Sequence, residues 1–175
     1  MGLIDASKFL KIALVLSCLA FLFFIVGYGT TFWMTIDIPR ADHPFHFGLW
    51  KMHALTDGDI SDALIDDKLK ATRGFCTLGM LAGIACTVLI ILFVFVKQLN
   101  LIRIMSAATG IGAGVLVFIA VIIYGTELDH YKTLVPGTNL TAKLGYSFGL
   151  TTFSGILYIA TGGLVLLDMK VSGSL

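Results

Sequence analysis

The chain has 175 residues, 57% of them hydrophobic and only 13% charged, with a formal net charge of +1. That is too little polar surface to cover a water-soluble globule, so the composition places the chain among membrane proteins. The charges mark out where the hydrocarbon would begin and end.

Uncharged runs lie between Lys11 and Asp37, Arg73 and Lys97, Arg103 and Glu127, and Lys143 and Asp168, each of more than twenty residues. About twenty residues of helix cross roughly 30 Å of hydrocarbon. Lipid offers the backbone no hydrogen-bond partner, and these runs are twice the length of a barrel strand, so helices are expected. The predicted fold is an all-α, four-helix transmembrane bundle in one domain over 1–175, with spans at about 10–33, 74–96, 104–126 and 144–167.

The first run follows Lys8 and Lys11. Its apolar part is longer than the roughly 7 to 15 residues of a signal peptide, so an uncleaved first helix is predicted. An even number of spans puts both termini on one side. Lys8, Lys11, Lys97, Arg103 and Lys170 flank the short segments; Arg40, Lys51, Lys68, Lys70, Arg73, Lys132 and Lys143 occupy the two longer connections, diluted there by nine acids. Raw counts favour neither side, but short basic segments weigh most in the positive-inside rule, which puts the termini in the cytoplasm. The connections 34–73 and 127–143 are then extracellular and the expected location is the plasma membrane.

The first connection has a pattern of its own. "WMTIDI", from Trp33, alternates at period two, and "FHFGLWKMHAL" does so in part, with turn residues "PRADHP" between them, so two short antiparallel strands are predicted. "TDGDISDALIDDKLKATRGF" then changes period: Ile60, Ala63, Leu64, Lys68 and Leu69 fall near one helical face, with Asp57 or Asp59 as N-cap. A short amphipathic helix leading into span two is expected. The seven aspartates here, against five basic residues, read as a solvated face that includes helix-start residues. His43, His46, His53 and His130 all fall in the connections. Their spacing is irregular, so solvated or aromatic-packed histidines are expected and no metal site is assigned.

Gly79 and Gly83 make a small-xxx-small face in span two, and Gly110 and Gly114 of "GIGAG" do the same in span three. With no preceding strand and no lysine, "GIGAG" is not read as a phosphate loop. Both faces are expected to pack within the monomer. "KQLNLIR" is a tight turn between them, and "NLT" at Asn139 is a glycosylation sequon on the predicted outer side. The spans contain no ionisable side chain except cysteine and tyrosine. Catalysis and proton-coupled transport are therefore not expected, and no cofactor or nucleic acid is called for.

Trp33 at the end of the first span, Gly48-Leu49-Trp50 in the loop, "LKATRG" with Arg73 at the mouth of span two and "GYSFGL" opening span four together resemble the claudin, peripheral myelin protein and epithelial membrane protein superfamily, which also holds stargazin-like and calcium-channel gamma auxiliary subunits. The resemblance covers the whole chain in span number, loop lengths and short termini. It implies that Trp33, Leu49 and Trp50 wedge the loop sheet into the outer rim of the bundle, with Gly48 allowing close approach. The family's first loop normally carries a disulfide after the triplet. Here His53 stands at the first expected cysteine, and Cys18, Cys76 and Cys86 all lie in predicted spans, so the sheet must be held by packing alone.

Two functions follow from the resemblance. One is a structural role in lateral assembly, cell–cell contact or a paracellular barrier, with the lipid bilayer and related four-span proteins as partners. The alternative is an auxiliary subunit of an ion channel or receptor. The end "GSL" has glycine where a PDZ ligand carries Ser or Thr, and no cytoplasmic cysteine near a span offers palmitoylation. The structural role is the expectation.

Overall fold

The computed structural model describes residues 6–37, 44–53, 57–59, 66–95, 99–133 and 141–173. The elements run α1 (Lys8–Gly29), β1 (Met34–Asp37), β2 (Phe45–Phe47), β3 (Lys51–His53), β4 (Asp57–Asp59), α2 (Asp67–Phe95), α3 (Asn100–Thr133), β5 (Thr141–Leu144) and α4 (Tyr146–Val171). The four helices are long and apolar enough to cross a membrane. α1 packs on α4, α4 on α3 and α3 on α2, with a lighter contact between α1 and α2. The ring closes around a core in three clusters. One, containing Phe24, Trp33, Leu49, Val117 and Tyr124, lies under the sheet; Ala20, Ala113 and Tyr158 fill the middle; Leu10, Cys86, Ile90, Phe93 and Val165 fill the opposite end. The outward faces are apolar too, with Val15, Leu22, Leu78, Leu81 and Ile122 all more than half exposed.

The helix ends depart from the charge-marked limits. α2 begins at Asp67 rather than near 74, and α3 runs on to Thr133, past the expected end at 126. Charges mark where hydrocarbon must stop, whereas a helix bonds its own backbone and continues into water. The separate amphipathic helix is corrected as well: Asp57 and Asp59, expected as N-caps, lie in β4, and Lys68 and Leu69 belong to α2 itself. Ile60, Ala63 and Leu64 lie outside the described residues. Asp66 and Asp67 instead stand at the start of the long helix, where carboxylates meet its positive end.

The strands form one five-stranded antiparallel sheet in the order β4-β3-β2-β1-β5. The period-two pattern predicts two strands in the first connection, which supplies four. Alternation holds in β1, where Met34 and Ile36 are buried and Thr35 and Asp37 are partly exposed. The fifth strand comes from the second connection and pairs with β1, Met34 opposite Leu144 and Asp37 opposite Thr141. Both connections therefore make one sheet, and β1, its anchor, follows directly from α1.

Candidate functional site

The residue that seats the sheet is Trp33. It is fully buried, and its indole Nε1 donates to the Gly27 carbonyl in the last turn of α1 at 2.7 Å. Its ring meets Tyr124 of α3 edge-on at 4.9 Å between centroids and Phe148 of α4 at 6.1 Å. Its backbone bonds both neighbouring segments: the N–H donates to the Phe47 carbonyl, and the carbonyl accepts from Gly145. One residue thus ties three helices to both connections. Gly145, the N-cap of α4, is held so close to Phe32 that an added Cβ would stand 2.1 Å from the Phe32 carbonyl oxygen. The Thr30 and Ser147 hydroxyls hydrogen-bond across the same α1–α4 seam at 2.6 Å.

The triplet does three different jobs. Gly48 donates to the Lys51 carbonyl across the tight β2–β3 turn, and a Cβ on it would sit 2.7 Å from the Thr31 backbone. Leu49 is fully buried, and its carbonyl accepts from Arg73 Nε of α2 at 2.8 Å. Trp50 differs from the expected wedge. It is 41% exposed and lies over the rim, edge-on to Tyr28 at 5.4 Å and with the Arg73 guanidinium 5.0 Å from its ring centroid. Only one face of a ring can be buried at the tip of a turn whose backbone already touches the bundle, so Leu49 fills the inward position and Trp50 is left outside. Arg73 serves both, as a hydrogen-bond donor to the loop and as a cation on the indole.

The glycine faces lie at helix–helix contacts within the chain. Gly79 meets Val117 of α3, and Gly83 lies under the Tyr158 ring of α4. Gly110 faces Cys86 and Gly162, and Gly114 faces Gly155 and Ile159, so α3 and α4 approach glycine to glycine. Cys76 and Cys86 are buried and Cys18 is exposed, all as free thiols. Among the described residues no three His, Cys, Asp or Glu side chains gather as a metal site would require. His46 Nδ1 lies 3.1 Å from the Thr35 hydroxyl, its ring 4.3 Å from Phe32, and it stands opposite His53 in the β2–β3 register. Asn139 and His43 lie outside the described residues; His130 lies on the last turns of α3.

At the opposite end of the bundle is a second constellation that the span boundaries conceal. Arg103 of α3 and Asp168 of α4 form an ion pair, 5% and 4% exposed. The Ser7 hydroxyl, N-cap of α1, donates to the other oxygen of Asp168, while Arg103 also donates to the Ser172 hydroxyl at 3.0 Å. The guanidinium lies 5.2 Å from the Phe93 ring centroid of α2. All four helices meet at this pair. In the sequence both residues read as boundary charges, yet Arg103 shares a helical face with Ser106, Gly110 and Gly114, and Asp168 shares one with Tyr158, Thr161 and Val165. Following those small and buried faces to their ends would have pointed to the pair. No family model matches the sequence, and comparison with curated proteins finds no match.

Proposed function

We propose that the protein is an integral membrane protein that crosses the bilayer four times and acts structurally, in the manner of a claudin-like protein, by lateral assembly and contact between cells. The observation that carries this reading is the sheet itself: five strands drawn from both connections, fastened to the helix ends by Trp33 and Arg73, with aromatic side chains left on its rim. Trp50 and Tyr146 are 41% and 53% exposed, and neither is needed to fill the core. A rigid platform carrying exposed aromatics suits recognition of another protein surface, where such residues dominate the binding energy. In this reading the sheet is extracellular, the Ser7–Asp168 end is cytoplasmic, and the protein needs no cofactor and has no catalytic role.

The topology is tested with tags at residues 1 and 175, which should be reached by antibody only after permeabilisation. Labelling of either tag on intact cells would overturn it. The function is tested by expressing the chain alone in cells that lack relatives, where it should concentrate at contacts between expressing cells. Replacing Trp50 and Tyr146 together by serine should abolish that enrichment while leaving surface delivery unchanged. Even distribution of the wild type, with a channel or receptor recovered in constant ratio from native membrane, would replace this reading with that of an auxiliary subunit.

A further inference from the structure

A shallow groove of about 810 Å³, open to the outside along most of its length, lies on the outer face of α4, lined by Ala160, Gly163, Leu164, Leu166, Leu167 and Lys170. Gly163 makes its floor: nothing stands within 4 Å of where its Cβ would be. From Ala160 to Lys170 the helix rises about 15 Å, which is half of the roughly 30 Å hydrocarbon thickness and so the depth of one leaflet. The wall is apolar over that depth and ends on a single ammonium at the level where the helix leaves the lipid. Asp168 is the only acidic side chain of the described residues there, and it is buried against Arg103 and Ser7. The Ser7–Asp168 hydrogen bond also brings the start of α1, at Lys8, beside the end of α4.

We propose that this groove is a binding site for one anionic glycerophospholipid of the inner leaflet, an acyl chain lying along Ala160–Leu167 over Gly163 and the headgroup phosphate on Lys170. The inference rests on the membrane-spanning reading above. A zwitterionic lipid brings the same phosphate, but its quaternary ammonium offsets that charge, so Lys170 favours the net-negative headgroup. A basic residue near the surface of an anionic leaflet contributes about a fivefold preference.

The test uses the full chain, extracted in mild detergent and returned to nanodiscs of phosphatidylcholine containing a minor fraction of phosphatidylglycerol. Retained lipid is then counted by native mass spectrometry. One phosphatidylglycerol per chain is expected, enriched about fivefold over its share of the disc. Lys170→Gln should remove the enrichment, and Gly163→Leu, which fills the floor, should remove the retained lipid. Gly149→Leu, at another open glycine of α4, should change neither. Lys170→Gln alone decides if the larger side chain at 163 prevents folding. Retention without preference, enrichment that survives both variants, or a second copy of the chain in the lipid's place would overturn the site. An alkaline carbonate wash separates the two readings: release from membranes would sink the membrane-spanning reading and the groove together, whereas retention without lipid preference sinks the groove alone.

Discussion

Trp33→Ala should destabilise the folded chain by about 3 to 5 kcal/mol, the cost of emptying a large aromatic from a close-packed site. Trp50→Ala should cost about 1 kcal/mol or less, since it removes an exposed cation–π contact and one edge contact. The contrast follows from position. Trp33 is fully buried, bonds Gly27 of α1 and touches Tyr124 and Phe148 of α3 and α4. Its loss opens a cavity where three helices meet and leaves the Gly27 carbonyl without its indole donor. Trp50 leans on Tyr28 and Arg73 with 41% of its surface outside. Trp33→Phe separates the two parts of the effect, because it keeps most of the volume and removes the hydrogen bond; about 1 to 3 kcal/mol is expected. Denaturant titration in detergent, followed by limited proteolysis of the sheet, measures all three. Equal tolerance of Trp33→Ala and Trp50→Ala would mean that the sheet is not seated by Trp33.

Much of this architecture was legible because hydrophobic length is a strong signal. Four uncharged runs became four helices, while the helix ends moved: α2 gained about two turns at its start, and α3 continued through Glu127 and Asp129. The sheet was clearest where a face is buried. Met34 and Ile36 alternate with Thr35 and Asp37 in β1, and that strand could be read. "TAKL" in β5 alternates over four residues only, and of its two apolar residues Ala142 is buried while Leu144 is exposed; its place in the sheet comes from pairing with β1 along a distant part of the chain. The same limit explains the triplet. A local reading cannot decide which of Leu49 and Trp50 faces the bundle, since the choice depends on the Arg73 side chain and the tight turn at Gly48.

The Arg103–Asp168 pair gives the other large expected effect, and it should be strongly non-additive. Asp168→Ala should cost about 3 to 5 kcal/mol, because it leaves a buried guanidinium without its carboxylate. Arg103→Met should cost a similar amount by stranding Asp168, to which Ser7 alone of the named partners would still donate. Replacing both, Arg103→Met with Asp168→Leu, should recover most of the loss and give a coupling of several kcal/mol in a double-mutant cycle, about the size expected when an ion pair is exchanged for packed apolar side chains. The prediction follows from burial: each charge is held away from water at a point where α1, α3 and α4 share hydrogen bonds and Phe93 of α2 covers the guanidinium. What the double variant would lose is selectivity of register, since an apolar patch accepts neighbouring alignments that a buried ion pair forbids. Thermal unfolding of the four chains in one detergent gives the cycle, and cysteine cross-linking between residues 10 and 165, both in the core cluster at this end, reports the alignment of α1 on α4. Strictly additive losses would show that the two charges are not energetically coupled and that this end is held by the apolar cluster of Leu10, Ile90 and Val165 instead.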